Sequence, residues 1–179
     1  QLVQLFDGEI EVSHHDSGGA CFRFYVELEQ LSDAEMAKVH QIQKKQTYSP
    51  QYFEQKWQHQ PPKNLNAEDS LENRLLLQAY LKHLPVELRF VYDGQAALDS
   101  LEKEVPDLIL MDVQMPVMDG LTATERIRAE HQEIPIIVLS ADALKKTRQR
   151  ALKLGATTFV TKPIAKHQLL GLLDTYLQQ

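Results

Sequence analysis

The sequence predicts an α/β fold in which a doubly wound, five-stranded parallel sheet is covered by helices on both faces. Two observations support this. From about residue 63 onward, short apolar runs alternate with longer amphipathic segments, which is typical of βα units in a parallel sheet. The runs are almost continuously apolar, as in strands that are buried on both faces. The four clearest runs are VELRFVY, DLILMD, PIIVLS and TTFVTK.

Five βα units follow one another in this part of the chain. The first begins with the strand KNLNAED, and the last ends with a helix near Ile164 to Leu177. The helical segments have usable ends, such as Gly155 after Lys153 and Leu154, because glycine readily adopts the left-handed conformation that closes many helices. The sequence therefore predicts strand and helix in strict alternation.

The first strand departs from this apolar pattern. Asn64 and Asn66 are poor occupants of a buried central strand, because their amides need hydrogen-bond partners. Two interpretations stay open. Either the strand starts late, near Leu65, or its upper half is less well packed than the other strands.

The first thirty residues have a different character. LVQLFDG is typical of a helix end closed by Gly8, and EIEVS and ACFRFYVEL read as two strands joined by the polar turn HHDSGG. Apolar residues alternate along the second strand, which predicts a hairpin with one apolar face. A lone hairpin is marginal in water, so this face needs something to pack against. Its apolar residues on the second strand are Phe22, Phe24, Val26 and Leu28.

Residues 31 to 62 read as a linker. Ser32 and Glu35 form a capping-box pattern, and the apolar residues that follow at helical spacing predict a short helix over 32–46. The next stretch carries Ser49-Pro50 and two further prolines, which favours a connector. Its aromatic residues could instead dock on a neighbouring unit, and both interpretations stay open. These residues are Tyr48, Tyr52, Phe53 and Trp57.

The overall composition excludes some classes of function. The 179 residues carry a formal net charge of −6, so the chain lacks the basic excess with which proteins neutralise the phosphates of nucleic acid. The one cysteine, Cys21, has no partner for an internal disulfide and no zinc-type spacing around it, which favours a cytoplasmic setting. No apolar run approaches the roughly 20 residues of a membrane-spanning helix, and the chain opens without a signal-like segment. We therefore expect no nucleic-acid partner and no membrane segment, although a longer parent protein could be membrane-attached.

Polar side chains stand at the ends of four predicted strands. They are Glu68 and Asp69 after the first strand, Asp112 after the third, Ser140 after the fourth and Lys162 after the fifth. Open parallel sheets bind ligands beyond the carboxyl ends of their strands, so these side chains should meet at one edge. Three converging carboxylates would repel one another unless a cation lay among them, and an all-oxygen ligand set suits Mg²⁺. The sequence therefore predicts a magnesium site.

Such a site can also hold a phosphoryl group. Mg²⁺ and the ammonium group of Lys162 would offset its charge, Ser140 offers a hydroxyl donor, and Asp112 presents a carboxylate nucleophile. The loop QMPVMDG turns the chain away after Asp112, so that backbone groups such as the Gln114 carbonyl can face the metal.

Each of these residues also has a simpler interpretation. The acidic pair could cap the helix that begins near Leu71, Ser140 could cap the helix after its strand, and Lys162 could be a surface lysine. Thr122 or Asp119 is expected to cap the helix after the third strand. Coincidence is a poor explanation for all of them, because three acids, a hydroxyl and a lysine would have to fall at the strand ends of one sheet by chance.

Residues 63 to 177 resemble a response-regulator receiver domain of two-component signalling. The motifs that carry the resemblance are AEDSLENR, LILMDVQMPVMDG, VLSA and FVTKP. The resemblance implies a flavodoxin-like sheet in the order 2-1-3-4-5 with five surrounding helices. It also implies a cis peptide bond between Lys162 and Pro163.

The resemblance assigns a role to each strand-end residue. Asp112 would accept the phosphoryl group, Ser140 and Lys162 would bind its oxygens, and Phe159 would switch rotamer as Ser140 moves. Mg²⁺ would be held by Glu68, Asp69, Asp112 and the Gln114 carbonyl. The donor would be a phosphohistidine on a histidine kinase, and the group would pass to a histidine phosphotransfer protein or domain, or would alter the surface formed by the receiver's fourth helix, fifth strand and fifth helix.

The stretch LVQLFDGEIEVSHHDSGGACFRFYVEL is similar to the last helix turn and closing hairpin of a histidine-kinase ATP-binding domain. Together with a receiver, it makes the chain resemble the carboxyl-terminal part of a hybrid histidine kinase. The kinase glycine boxes and the phosphoaccepting histidine motif are not in this sequence, so we expect neither ATP binding nor autophosphorylation on histidine by this chain. The predicted organisation is a kinase-domain remnant over 1–30, a linker over 31–62 and a receiver over 63–179.

Other functions fit the sequence less well. A haloacid-dehalogenase-like phosphatase needs a second acid two positions after its aspartate, where this chain has Gln114. A dinucleotide site needs a glycine-rich turn after the first strand, and the turn here is Asp69-Ser70-Leu71. The main alternative is a receiver-like docking module that is never phosphorylated.

Overall fold

The structure is a computed structural model that describes residues 9–14, 20–25 and 48–177. The chain divides into two units, residues 1–47 and residues 48–179. In the first unit, β1 (Glu9–His14) and β2 (Ala20–Tyr25) form an antiparallel pair. This pair confirms the predicted hairpin.

The register of this pair is regular from end to end. Glu9 lies opposite Tyr25, and His14 lies opposite Ala20. The predicted helix end at Gly8, the outer part of the second strand and the predicted helix over 32–46 lie outside the described residues.

The second unit alternates strands and helices as predicted, after one additional helix. Its elements are α1 (Pro50–Lys56), β3 (Lys63–Ala67), α2 (Leu71–Leu81), β4 (Glu87–Val91), α3 (Gly94–Lys103), β5 (Leu108–Asp112), α4 (Gly120–Glu130), β6 (Ile136–Ser140), α5 (Lys145–Lys153), β7 (Thr158–Thr161) and α6 (Lys166–Tyr176). These helices have between 7 and 11 residues. None of the helices in the described part of the chain is long and apolar enough to cross a membrane.

The five strands form one parallel sheet in the order β4-β3-β5-β6-β7. This is the predicted order 2-1-3-4-5. Every residue of the two central strands β5 and β6 is buried. Alternate residues of each strand face opposite sides, so the sheet has an apolar core on each face, one including Ile109 and Val138 and the other including Leu110 and Ile137.

Strand β3 begins at Lys63, so the interpretation in which it starts near Leu65 is wrong. Asn64 and Asn66 are 1% and 0% exposed. The Asn66 amide nitrogen donates to the backbone oxygens of Asn64 and Arg89, at 3.3 and 3.4 Å. Both amide atoms of Asn64 and the amide oxygen of Asn66 are without a hydrogen-bond partner among the described residues. Strand β3 therefore carries buried polar groups that its surroundings do not fully satisfy.

Helix α1 packs into the core of the second unit. It begins with Pro50 after Ser49, whose hydroxyl oxygen accepts a hydrogen bond from a backbone N–H of the first turn. Phe53 and Trp57 are 0% and 1% exposed, and their ring centroids lie 4.6 Å apart. The indole N–H of Trp57 donates to the backbone oxygen of Leu177 at 3.0 Å. Of the two interpretations left open for these aromatic residues, the structure shows docking on a neighbouring element.

Candidate functional site

Three carboxylates meet where the sheet's carboxyl edge passes into loops. Glu68 directly follows β3, Asp69 comes next, and Asp112 ends β5, the neighbour of β3 in the sheet. One carboxylate oxygen from each lies within 4.8 Å of the others. Glu68 and Asp112 are buried and Asp69 is exposed, so the cluster opens to solvent on one side.

Lys162 joins two of these carboxylates from the other side of the site. It follows β7, and its Nζ lies 2.6 Å from Oε2 of Glu68 and 2.8 Å from Oδ2 of Asp112. The peptide bond between Lys162 and Pro163 is cis, as the resemblance implied. The lysine is therefore not the ordinary surface residue of the simpler interpretation.

The Asp112 carboxyl has a raised pKa. Burial is the largest cause, because it removes water from the charged form, and the nearby charge of Glu68 acts in the same direction. The hydrogen bond and charge of Lys162 and the backbone N–H of Gln114 oppose this effect without cancelling it. The site thus holds a carboxylate that gains from any further positive charge placed beside it.

Ser140 and Phe159 lie on the neighbouring strands. Ser140 ends β6 and is 1% exposed, and its hydroxyl oxygen accepts a hydrogen bond from the Asp142 N–H at 3.1 Å. Helix α5 begins five residues later, after Leu144, which provides no side-chain cap, so Ser140 is not the cap of that helix. Phe159 lies in β7 opposite Val138 and is buried in the core.

The loop between β5 and α4 is held tightly against Asp112. The Gln114 N–H donates to Oδ1 of Asp112 at 3.4 Å, and the Gly120 N–H donates to the Val113 oxygen at 3.0 Å. A Cβ at Gly120 would lie 1.8 Å from the backbone oxygen of Asp112, so glycine is required there. Val117 has φ 63°, an uncommon conformation for a β-branched residue.

Asp119 caps α4. Its Oδ1 accepts hydrogen bonds from the N–H groups of Leu121 and Thr122, both at 2.9 Å. Of the two predicted alternatives for this cap, Asp119 is therefore the correct one, and the Thr122 hydroxyl donates to its second oxygen. The cap fixes the start of the helix that carries the loop away from Asp112.

Two residues that the sequence did not single out support Glu68. Ser70 caps α2, which replaces the simpler interpretation in which Glu68 and Asp69 would cap this helix. The Ser70 N–H and the Asn73 amide both donate to Oε1 of Glu68, at 3.2 and 3.0 Å. Asn73 lies in the first turn of α2, five residues after Glu68, so no helical spacing rule pointed to it, because Glu68 precedes the helix.

Arg150 is another residue that the sequence did not single out, and it belongs to the outer wall of the site. It projects from α5 and, with Asp69, Gln114 and Asp119, lines an open depression beside the carboxylates. No sequence signal separates it from the other basic residues of α5, because its position depends on how α5 packs against the loop.

The arrangement suits a divalent cation with oxygen ligands. The cluster presents three carboxylates, two from buried residues and one from an exposed residue. Hard cations such as Mg²⁺ bind carboxylate oxygens and keep several of their own waters. Glu68, Asp69 and Asp112 are brought together as predicted, and Lys162 contacts two of them. The buried Asp112 would gain from such a cation, because burial disfavours its charged form.

Comparison with known protein families agrees with this geometry. Residues 65–174 match the response regulator receiver domain family. The sensor protein GacS of Pseudomonas syringae pv. syringae is 41% identical over 113 residues, which are 60% of this chain and 12% of that protein. The autoinducer 2 sensor kinase/phosphatase LuxQ of Vibrio vulnificus is 31% identical over 169 residues, which are 94% of this chain and 19% of that protein. The chain thus spans less than a fifth of the length of these two relatives.

Solved structures show the same fold. The receiver domain of the sensor histidine kinase PA1611 from Pseudomonas aeruginosa PAO1, which has a magnesium ion coordinated in its active-site cleft, superposes with a TM-score of 0.62 at 34% identity, covering 66% of this chain and 99% of that one. The chemotaxis protein CheY4 of Vibrio cholerae gives a TM-score of 0.61 at 29% identity, covering 65% of this chain and 98% of that one. This chain therefore belongs to the response-regulator receiver domain family of two-component phosphorelay signalling.

Proposed function

We propose that Asp112 is the residue that accepts the phosphoryl group, from a phosphohistidine on a partner protein. The observation that carries the proposal is the position of its carboxylate at the end of a buried central strand, 2.8 Å from Nζ of Lys162 and within 4.8 Å of two further carboxylates. A carboxylate in this position can act as a nucleophile toward phosphorus, because the nearby Lys162 ammonium offsets the negative charge of the phosphoryl oxygens.

The transfer conserves atoms and electrons. An Asp112 carboxylate oxygen attacks phosphorus, the bond between phosphorus and the histidine nitrogen breaks, and the imidazole keeps that electron pair and takes up a proton. Lys162 offsets the charge on the phosphoryl oxygens, and the Ser140 hydroxyl donates a hydrogen bond to one of them. Lys162 also contacts Glu68, so its ammonium is already placed when the donor arrives.

The residues that would hold Mg²⁺ are Glu68, Asp69, Asp112 and the backbone carbonyl of Gln114. When bound, the ion supplies Lewis-acid neutralisation of the phosphoryl oxygens. The hydrogen bonds that Ser70 and Asn73 donate to Glu68 orient that carboxylate toward the site. The tight loop after β5 keeps the Gln114 backbone close to Asp112.

The consequence of phosphorylation would be a shift between two arrangements of the neighbouring strands. Ser140 would move toward the new dianion, and Phe159 would change rotamer to fill the space behind it. Both residues lie on strands whose connecting helix is α5, so the surface formed by α5, β7 and α6 would respond.

The parent protein would be a hybrid histidine kinase. The similarity to LuxQ covers 94% of this chain and therefore reaches residues ahead of the receiver, where the hairpin lies. In that context residues 1–30 would end the ATP-binding domain, 31–62 would connect it to the receiver, and the donor would be the kinase's own phosphohistidine. The receiver would pass the group to a histidine phosphotransfer protein or domain.

Intact-mass spectrometry after incubation with acetyl phosphate and Mg²⁺ tests the proposal. We expect one phosphoryl adduct on the wild-type chain, a requirement for Mg²⁺, and no adduct on Asp112→Asn. Asp99→Asn is the matched control, because Asp99 is an exposed aspartate of α3 outside the site, and it should be modified like the wild type.

The opposite result has a clear meaning. A folded wild-type chain that gains no adduct at any Mg²⁺ concentration would favour the docking module that is never phosphorylated. An adduct that persists in Asp112→Asn would place the acceptor elsewhere.

A further inference from the structure

The outer wall of the site carries a positively charged residue, Arg150, that takes no part in the phosphoryl transfer described above. The depression beside the carboxylates is lined by two acids, Asp69 and Asp119, by five uncharged residues and by Arg150. Arg150 is the one basic residue among these, within the part of the chain that the structure describes. Asp69 and Asp119 are both exposed acids, so among the described lining residues Arg150 alone attracts an approaching anion by its charge.

Arg150 belongs to an unusually basic helix. Five of the nine residues of α5 are lysine or arginine, and none is acidic. The helix begins without a side-chain cap and with Lys145 and Lys146 in its first turn, where positive charge opposes the helix dipole. Lys146 and Arg150 also stand four residues apart, a spacing at which like charges repel. Arg150 and Lys153, in contrast, lie in the last turn of α5, where positive charge agrees with the helix dipole.

Arg150 lies near Asp119, and its charge helps to lower the pKa of that carboxyl, but it makes no direct ion pair with a described residue. None of the ion pairs between described residues involves α5. The acid beside Arg150 in the depression is Asp119, and its oxygens already accept three hydrogen bonds from Leu121 and Thr122 at the start of α4. The ammonium of Lys162, in contrast, is held between Glu68 and Asp112 inside the site.

We propose that Arg150 is a specificity-determining residue for the phosphoryl donor, attracting donors with two net negative charges to the mouth of the site. The proposal rests on the phosphorylation of Asp112 and names the feature of the donor that the chain selects. Arg150 acts on the approach of the donor, because it lines the outer depression. Lys162 acts on the transfer itself, because it contacts the nucleophile.

Two small donors of different charge separate these roles. Acetyl phosphate carries two net negative charges near neutral pH, whereas the zwitterion of phosphoramidate carries one, so an electrostatic effect should be larger for acetyl phosphate. At low ionic strength, Arg150→Glu should lower the second-order rate constant for acetyl phosphate about threefold, and the effect should shrink as salt is added. Arg150→Lys should restore the wild-type rate, because it keeps the charge.

Lys153→Glu is the matched control. It makes the same charge reversal on the same helix, but Lys153 is the last residue of α5 and does not line the depression. We expect it to change the rate less than Arg150→Glu does. Circular dichroism of all variants shows whether the fold is retained.

The measured quantity is the rate of appearance of the phosphoryl adduct by intact mass. The proposal is overturned if Arg150→Glu reacts like the wild type, or if it slows both donors equally at every salt concentration. Failure of the wild type to form any adduct would instead remove the assignment of Asp112, and this inference with it. A selective, salt-dependent loss that Arg150→Lys repairs supports the proposal.

Discussion

At the scale of single residues, two buried asparagines of strand β3 lack hydrogen-bond partners for part of their amide groups among the described residues. Asn64 and Asn66 are two residues apart in β3, so their side chains lie on the same face of the sheet. Their hydrogen bonding nevertheless differs. The Asn66 amide donates two hydrogen bonds, whereas both amide atoms of Asn64 have no partner among the described residues. A buried polar group without a partner is destabilising, because it gave up its hydrogen bonds to water.

Replacing Asn64 with an apolar residue should therefore stabilise the protein. Asn64→Val removes the unsatisfied amide and adds a residue that favours strands, so we expect the free energy of unfolding to rise by about 1–3 kcal/mol. Urea unfolding followed by circular dichroism measures it. Asn66→Val is the matched variant, and its gain should be smaller because it also removes two hydrogen bonds. A loss of stability in Asn64→Val would show that the amide is hydrogen-bonded in solution.

At the scale of elements, the geometry of the site depends on how the loop after β5 is anchored. Asp119 caps α4, and Gly120 allows the start of that helix to lie against the backbone of Asp112. The pKa of Asp119 is lowered. Burial alone would raise it, but the hydrogen bonds from Thr122 and Leu121, together with the charge of Arg150, outweigh burial. The charged carboxylate is therefore the form that stabilises the loop.

This direction fixes the pH dependence of the cap. Because the folded-state pKa is below the unfolded one, the stabilisation is fully present above the ordinary aspartate pKa of about 3.9 and is lost as the pH falls through the folded-state value. Asp119→Ala should cost about 1 kcal/mol at neutral pH, and the difference from the wild type should shrink in acid. Urea unfolding at a series of pH values measures it.

Asp119→Asn provides the internal control for this experiment. Asparagine can cap a helix but does not titrate, so the difference in stability between Asp119→Asn and Asp119→Ala should not change with pH. If the difference between the wild type and Asp119→Ala were also constant down to the lowest pH, the charge of Asp119 would have no part in the cap.

At the scale of the whole molecule, the sequence was a good guide wherever a residue's role depended on its place along a strand. The carboxyl ends of parallel strands lie at one edge whatever the packing, so the order of apolar runs was enough to bring Glu68, Asp69, Asp112 and Lys162 together. Arg150 could not be predicted in this way, because its position depends on the packing of a helix against a loop. Docking of the aromatic residues of α1 was open for the same reason.

The docking of α1 changes where the receiver's folding unit begins. The predicted linker runs from 31 to 62, but from Tyr48 onward the chain belongs to the same compact unit as the sheet. Phe53 and Trp57 are fully buried in the core that also contains Leu81 and Leu177. Lys56 adds an ion pair with Asp174 at 2.6 Å, which ties α1 to α6.

Two truncated chains separate the roles of these segments. A chain of residues 48–179 keeps α1, so its free energy of unfolding should match that of the second unit in the full chain. A chain of residues 63–179 lacks Phe53 and Trp57 and exposes their contacts, so it should lose at least about 3 kcal/mol, the lower end of the cost of removing one large buried aromatic side chain.

Urea unfolding followed by circular dichroism compares the two chains, and Trp57→Ala in residues 48–179 provides the matched variant. Its loss should approach that of the shorter chain, because the indole fills the core and also donates to the Leu177 oxygen. Equal stability of the two truncated chains would mean that α1 contributes nothing in solution and that the unit begins at Lys63. The expected loss would instead make α1 an integral part of the receiver, whose compact unit then begins at Tyr48.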